Sequence, residues 1–239
     1  MISADGIDAI TFDFFNTLVY HRSGRGRGSM LLEYLSANGF ESDSWEHQVL
    51  YDVFERHGIE YSPDQSAQEK HRYLRRFAER VFDRLNVGGG NGVAADHAAD
   101  IWRLLGPGSL AVFTDVPDAL RRLTAAGYRL AVVSNWQCGL RSFCVELGLG
   151  DVFEHVIASA EIGYAKPSRE IFEEACRRLA VPPGRVLHIG DSVSEDVEGA
   201  RGAGLHAVLI SRDGDAQEFE GPAVRSLEGV MQLLGVGPG

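Results

Sequence analysis

The C-terminal half of the chain alternates short apolar runs with segments whose apolar residues recur every three or four positions. The apolar runs at 128–133, 155–157, 185–189 and 206–210 predict strands, and the periodic segments at 139–147, 168–180, 194–203 and 226–234 predict helices. Strands that alternate with helices in this way pair in parallel, and the helices cover both faces of the sheet. The pattern therefore predicts an α/β fold with a Rossmann-like parallel sheet.

The N-terminal part of the chain contributes a further predicted strand. Residues 10–18 begin as a buried apolar run, and this run ends at the carboxylate of Asp13. A carboxylate at the carboxyl end of a parallel strand lies in the crevice where open α/β sheets bind ligands. Asp13 is therefore a candidate nucleophile.

The pattern changes between residues 18 and 111. Helical periodicity recurs at 30–38, 45–57, 68–85 and 94–104, no strand is predicted, and the glycine run at 88–92 is interpreted as a loop between helices. We predict that residues 18–111 form an all-helical cap, inserted into a core of residues 1–17 and 112–239. In this layout the cap lies over the carboxyl ends of the core strands.

Composition narrows the classes of partner and compartment. The chain has 23 Lys and Arg against 34 Asp and Glu, a formal net charge of −11, which argues against nucleic acid or an anionic membrane as partner. Three cysteines without a CxxC pair predict reduced thiols and a cytoplasmic protein. No apolar run approaches the roughly 20 residues of a membrane span, and residues 1–5 do not resemble a signal peptide. Composition does not predict an oligomeric state.

Polar side chains occur at four predicted strand ends or in the loops that follow them. In chain order they are Asp13 with Thr17, Ser134 with Asn135, Lys166, and Asp191 with Asp196. Each signal alone is weak, because a lysine before a proline often only begins a helix. Taken alone, Asp191 could be only a helix N-cap, and Asp196 only a carboxylate on a helix surface. The four signals in this order, each near a strand end, predict a catalytic site.

These residues resemble the four motifs of the haloacid dehalogenase superfamily, a group of aspartate-nucleophile phosphatases, dehalogenases and related enzymes. The resemblance spans nearly the whole chain. The insert is similar to the helical cap that many members carry between the first and second motifs. The resemblance therefore implies a capped hydrolase that acts on a small-molecule substrate.

The resemblance also implies a role for each motif residue. Asp13 is the implied nucleophile that forms a covalent aspartyl intermediate, and Thr17 belongs to the same motif. The implied ligands of the transferring oxygens are Ser134, Asn135 and Lys166. A Mg²⁺ ion is the implied cofactor, with the carboxylates of Asp13 and Asp191 and the backbone carbonyl of Phe15 as its protein ligands. Asp196 completes the implied metal site by orienting Lys166 or a metal-bound water.

Phe15 departs from the phosphatase pattern, because phosphatases of this superfamily usually carry a second aspartate at this position as general acid and base. Phenylalanine cannot transfer a proton, and general acid–base catalysis contributes about 10²–10⁴ in rate. His21 is a candidate replacement, because a histidine titrates near neutral pH. An ordinary surface histidine is the competing interpretation.

Three functions remain open at this point. The first is a phosphatase or phosphotransferase whose leaving group needs little protonation. The second is a 2-haloacid dehalogenase, since halide leaves without a proton and that branch carries an aromatic residue at the position of Phe15. Against it, that branch needs no metal and replaces the motif around Asp191 with hydroxyl and amide residues, whereas Asp191 and Asp196 are both present here. Phe172 also lacks the hydroxyl of the tyrosine expected there. The third is a binding protein with negligible turnover.

A glycine-rich tether at 22–28 joins the predicted core to the cap and carries Arg22, Arg25 and Arg27. One interpretation is a solvated hinge. The other is a hinge whose arginines also bind an anionic group of the substrate.

Overall fold

The computed structural model describes residues 6–40, 66–87, 90–214 and 219–237. Its strands are β1 Ala9–Phe12, β2 Val19–His21, β3 Leu110–Val112, β4 Arg129–Ser134, β5 His155–Ala158, β6 Val186–Gly190, β7 His206–Ile210 and β8 Ala223–Val224. Six of them form one sheet in the order β5-β4-β1-β6-β7-β8, and every neighbouring pair is parallel. The predicted Rossmann-like α/β fold is confirmed.

Nine α-helices complete the described fold. They are α1 Arg27–Ala37, α2 Ala67–Arg84, α3 Gly90–Leu105, α4 Val116–Ala125, α5 Leu140–Glu146, α6 Ser159–Ile162, α7 Arg169–Leu179, α8 Gly199–Gly202 and α9 Leu227–Leu233. A π-helical turn, Val193–Glu198, leads directly into α8. Within these ranges no helix combines the length and the apolar character needed to cross a bilayer.

The central strand β1 shows why the sheet is covered on both faces. Successive side chains of a strand point to opposite faces. Ile10 and Phe12 belong to the hydrophobic cluster that includes residues of α4, α5 and α9, whereas Ala9 belongs to the cluster that includes residues of α7 and α8. A strand buried on both faces is mostly apolar, and this explains why β1 is apolar apart from Thr11.

The chain runs outward from β1 in both directions, to β4 and β5 on one side and to β6, β7 and β8 on the other. The carboxyl end of β1 is thus a topological switch point, where open α/β sheets bind ligands. The backbone N–H of Asp13, the first residue after β1, donates to the carbonyl of Ile189 at 2.8 Å. The fold therefore fixes Asp13 at the ligand-binding edge.

The described part of the insert contains three helices with a hydrophobic cluster of their own. Leu31 and Leu35 of α1, Val81 of α2 and Ile101 of α3 belong to this cluster. Helix α2 begins with a capping box, in which Ser66 and Glu69 each accept a backbone N–H from the other. The helices predicted at 30–38, 68–85 and 94–104 are confirmed within a few residues, while the one predicted at 45–57 lies outside the described residues.

Two predictions for the insert need correction. The expectation of no strand between residues 18 and 111 is wrong at both ends, where β2 and β3 pair as a short antiparallel ribbon. Three-residue strands are too short to display an alternating pattern, and their partners lie about ninety residues apart. The predicted loop at 88–92 is also too long, because α3 already begins at Gly90. The boundaries of the core and the cap stay a prediction.

Candidate active site

Side chains from four chain segments meet at the carboxyl edge of the sheet. Asp13 follows β1, Ser134 ends β4, Lys166 follows α6 and Asp191 follows β6. Ser134 Oγ donates to Asp13 Oδ1 at 2.9 Å. Lys166 Nζ donates to the same oxygen at 2.6 Å. The sequence prediction that these motifs converge is therefore supported by direct contacts between their side chains.

The ammonium of Lys166 lies between two carboxylates. It also donates to Asp196 Oδ1 at 2.5 Å, and Lys166, Asp13 and Asp196 are all buried. Burial alone would lower the pKa of Lys166, but the two carboxylates outweigh burial and hold that pKa above its usual value. Burial raises the pKa of Asp13, and Lys166 opposes this rise. The lysine therefore remains charged and favours the ionised form of both partners.

The side chain of Asn135 holds the backbone of Lys166. Its Oδ1 accepts the Lys166 N–H at 2.6 Å, and its Nδ2 donates to the Lys166 carbonyl at 3.0 Å. The same Nδ2 also donates to Glu195 Oε2 at 3.1 Å. These contacts fix the point from which the lysine side chain extends, so the position of Asn135 suits orientation of Lys166 better than direct contact with a reacting oxygen.

Asp191 lies at the rim of the site, with its carboxylate accepting from Asn16 Nδ2 at 3.2 Å. Asn16 has a positive φ of 59°, a conformation that asparagine tolerates better than most residues. Burial within the cleft, and then the negative charges of Asp13 and Asp196, raise the pKa of Asp191 to about 7. Ionised Asp191 next to these carboxylates is therefore unfavourable in free energy, and a bound cation would remove this penalty.

One oxygen from each of Asp13, Asp191 and Asp196 lies within 4.8 Å of the others. Carboxylate oxygens are the donors that hard divalent cations prefer. Asp196 already accepts hydrogen bonds from Lys166 and from the Ser192 N–H, the latter at 2.9 Å. Asp13 and Asp191 are therefore the carboxylates best placed to hold a cation directly, with Asp196 behind them.

A buried chain of polar groups behind Asp196 was missed by sequence reasoning. His188 Nε2 lies 3.1 Å from Asp196 Oδ1, and its Nδ1 lies 2.9 Å from Thr11 Oγ1. An N–H at Nε2 that donates to the carboxylate leaves Nδ1 to accept the threonine hydroxyl. The polar Thr11 and His188 inside two otherwise apolar strands were the available signal, because buried polar groups need partners.

The nucleophile cavity, of about 330 Å³, opens above these carboxylates. Its lining includes Phe15, Trp136 and Arg27. It also includes the polar residues at the strand ends, namely Asp13, Ser134, Asn135, Lys166, Asp191 and Asp196. Arg27, the first residue of α1, is buried, and its guanidinium lies 4.1 Å from the centre of the Trp136 ring. Burial lowers the pKa of Arg27 to about 9. The insert therefore contributes a cation to this cavity.

Three other residues predicted to bind substrate or to take part in catalysis do not line the nucleophile cavity. Arg25 lines the ribbon cavity, a second cavity of about 440 Å³ beside β2, and forms an exposed ion pair with Glu33. Arg22 lines neither cavity. Thr17 is buried and lines neither cavity. Its backbone carbonyl accepts a hydrogen bond from Arg212 at 2.6 Å.

The residues considered for the missing acid are also placed by the structure. Phe15 is half-buried, and its ring centroid lies 6.3 Å from that of Trp136. His21 is buried, and its Nε2 lies 3.0 Å from the Leu104 carbonyl while its Nδ1 lies 2.7 Å from Ser23 Oγ. His21 lines the ribbon cavity but not the nucleophile cavity. Its ring nitrogens are thus engaged away from Asp13.

Comparison with known proteins identifies the family. A family model described as a haloacid dehalogenase-like hydrolase matches residues 7–204. The chain belongs to this family. Asp13, Ser134, Lys166 and Asp191, which meet at the carboxyl edge of the sheet, all lie within the matched residues.

Two curated relatives bear different activities in their names. Glyceraldehyde 3-phosphate phosphatase of Methanothermobacter thermautotrophicus is 34% identical over 132 residues, covering 51% of this chain and 56% of that protein. The (S)-2-haloacid dehalogenase of Pseudomonas sp. (strain YL) is 31% identical over 130 residues, covering 52% of this chain and 56% of that protein. The matches span only about half the length of these relatives.

Solved structures share the fold over nearly the whole chain. The haloacid dehalogenase-like phosphatase from Thermococcus onnurineus has a TM-score of 0.65 and 24% identity, covering 96% of this chain and 99% of that one. The 2-haloacid dehalogenase from Pseudomonas syringae pv. Tomato DC3000 has a TM-score of 0.60 and 24% identity, with coverage of 96% and 98%. These likenesses establish the fold alone.

Replacing Gly190 with alanine should loosen the hold on Lys166. A Cβ at Gly190 would lie 2.1 Å from the Asp196 Cγ, so the carboxylate must move away from its partners. We expect the free energy of unfolding, measured with urea, to fall by about 1–3 kcal/mol, as overpacked sites usually show. Gly184→Ala, at the other end of β6, is the control because its Cβ meets no atom within 4 Å. Equal unfolding midpoints for the two variants would contradict the close packing of Asp196 against Gly190.

Proposed function

We propose that this haloacid dehalogenase-like hydrolase is a Mg²⁺-dependent phosphatase or phosphotransferase that acts on a small phosphorylated compound. The observation that carries the proposal is the carboxylate of Asp191 beside Asp13, with a pKa raised to about 7 by burial and by its acidic neighbours. A cation between the two carboxylates would remove this penalty. The relative named glyceraldehyde 3-phosphate phosphatase supports phosphate-ester chemistry for this chain.

The donor set fits Mg²⁺. The carboxylates of Asp13 and Asp191 and the backbone carbonyl of Phe15 are the oxygen ligands we assign, and Mg²⁺ keeps several waters beside such ligands. We assign Asp196 to orienting Lys166, because its oxygens already accept from Lys166 and Ser192. When bound, the ion neutralises negative charge on the transferring phosphoryl group.

The contacts of Asp13 suggest which of its oxygens reacts. Among the described residues, Ser134 and Lys166 both donate to Oδ1, so we assign Oδ2 as the attacking atom. A bond forms between Oδ2 and phosphorus, the bond from phosphorus to the alcohol oxygen breaks, and water later hydrolyses the aspartyl phosphate. Lys166 supplies a fixed positive charge beside both steps, which is the main protein contribution in phosphoryl transfer.

Arg27 is the tether arginine that we assign to substrate binding. It lines the same cavity as Asp13 and is held by its contact with Trp136 and by a 2.7 Å hydrogen bond to the Leu105 carbonyl. A buried guanidinium there favours an anionic substrate. We assign Arg25 and Arg22 only an indirect part, since Arg25 is paired with Glu33 and neither residue lines this cavity.

We infer a cytoplasmic location from the three cysteines. Cys138, Cys144 and Cys176 are buried, and none of them forms a disulfide among the described residues. Burial raises the pKa of the Cys144 thiol to about 12, which keeps it unreactive. Reduced structural cysteines are typical of proteins from a reducing compartment.

A 2-haloacid dehalogenase is the second candidate, and Phe15 is the observation that favours it. The relative named (S)-2-haloacid dehalogenase adds support. Halide release needs no proton and no metal, so this activity would be independent of Mg²⁺ and insensitive to loss of Asp191. The third candidate, a binding protein of the same fold, predicts neither phosphate nor halide release.

The first test compares wild-type protein with Asp13→Asn in the presence of 4-nitrophenyl phosphate and Mg²⁺. We expect phosphate release or a phosphate adduct in the intact-protein mass of the wild type, and neither in Asp13→Asn, because the nucleophile is lost. The control is Asp151→Asn, an exposed aspartate in a turn. Halide release from 2-chloropropionate without phosphate release would instead establish the dehalogenase.

The second test replaces Asp191 with asparagine and follows thermal unfolding. Mg²⁺ should raise the melting temperature of the wild type, because a ligand of the folded state stabilises it. Without metal, Asp191→Asn should melt above the wild type, by about 2–4 °C per kcal/mol of repulsion removed, and it should lose the response to Mg²⁺. A full Mg²⁺ response in Asp191→Asn would rule out the assigned metal site.

The third test restores an acid with Phe15→Asp. A carboxyl group there could protonate the departing oxygen, so turnover of glycerol 3-phosphate, whose alkoxide leaves poorly, should rise at least about tenfold, within the 10²–10⁴ that general acids contribute. Turnover of 4-nitrophenyl phosphate should change little, because nitrophenolate needs no proton. Phe15→Leu is the control for lost aromatic packing. Equal gains on both substrates would show that Phe15 limits the reaction in another way.

A further inference from the structure

The ribbon cavity adjoins the nucleophile cavity. The two share three lining residues, Phe15, Asn16 and Asp191. A substrate whose phosphate lies at Asp13 can therefore extend past Phe15 into the ribbon cavity. A volume of about 440 Å³ lies within the range of about 300–1,000 Å³ typical of small-molecule sites.

Ring surfaces are what this cavity offers to a ligand. Tyr20 is 36% exposed, and Phe15 and Phe113 are half-buried. Apolar ring surface facing a cavity gains free energy when a ligand removes it from water.

The two arginines that line the same cavity already form ion pairs. Arg25 is paired with Glu33, and Arg212 forms two 2.7 Å hydrogen bonds with the carboxylate of Asp115. Two acidic residues, Asp191 and Asp213, also line the cavity. The balance of charge therefore does not favour a second anion, and the aromatic surface decides what binds.

Tyr20 and Phe113 form an aromatic wall of the ribbon cavity, and neighbouring groups hold both rings in place. The Arg212 guanidinium lies 4.1 Å from the centre of the Phe113 ring and donates to the Thr17 carbonyl at 2.6 Å. The Tyr20 ring centroid lies 4.7 Å from that of Phe113, at an angle of 42°. A wall that is already ordered costs little conformational entropy when it binds.

We propose that the ribbon cavity is a subsite for the leaving group of the substrate, and that it accepts an alcohol or phenol bearing a planar aromatic ring. Tyr20 and Phe113 are its specificity-determining residues. This inference rests on the proposed phosphatase function, because it assumes that the phosphate lies at Asp13.

The test compares phenyl phosphate with 2-naphthyl phosphate, whose leaving groups have similar acidity but different ring area. We expect wild-type kcat/KM to be about tenfold higher for 2-naphthyl phosphate, through a lower KM, because the second ring buries more apolar surface. Tyr20→Ala should abolish the preference. The matched control Tyr20→Phe should retain it, because it keeps the ring. Phe113→Leu is a second variant that removes a ring without leaving a large void.

Binding to the Asp13→Asn protein, measured by calorimetry with the same two phosphates, separates the subsite from the chemistry. Tighter binding of 2-naphthyl phosphate that disappears on adding Tyr20→Ala supports the subsite even if no turnover occurs, in which case only the proposed function fails. Equal affinity and equal kcat/KM for the two phosphates would overturn the subsite and leave the proposed function intact. A preference that persists in both Tyr20→Ala and Phe113→Leu would overturn it as well.

Discussion

The buried ammonium of Lys166, held between the carboxylates of Asp13 and Asp196, is the contact on which the site depends. Isolated buried charges are costly, so each of these groups requires the others. The requirement links segments from opposite sides of β1, because Lys166 comes after β5 on one side and Asp196 comes after β6 on the other. Asn135, which follows β4, holds the lysine backbone through hydrogen bonds with its N–H and its carbonyl. The catalytic geometry and the central packing of the sheet are therefore parts of one arrangement.

Phe15 determines how the space above this arrangement is divided. Its ring lines both the nucleophile cavity and the ribbon cavity, at the position where the resemblance to phosphatases implies an acid. A phenylalanine here offers aromatic surface in the cavity that holds Asp13 and has no group that could donate a proton. A leaving group that departs as a stable anion would need no donor, and an aromatic phenol meets that condition. The chemistry lost at Phe15 and the surface gained there favour the same class of substrate.

The insert takes part in the site through its two connections to the core. Arg27 at the start of α1 lines the nucleophile cavity. Tyr20 of β2 and Phe113, which follows β3, line the ribbon cavity. Helices α1, α2 and α3 pack on one another around their own hydrophobic cluster. A change in the position of these helices would alter both cavities together, which is how inserted domains commonly control substrate access.

Sequence by itself determined the parallel sheet, most of the helices and the polar residues that follow the strand ends. Those features follow from local periodicity and from the residue type at strand ends. Tertiary structure alone decided what each polar group contacts: Asn135 holds the Lys166 backbone, and Thr11 meets His188 from 177 positions away. It also decided that Arg27, and not Arg22, lines the nucleophile cavity, and that β2 and β3 pair. Such contacts join residues far apart in the chain, and local periodicity records only whether a side chain is buried, not which distant partner buries it.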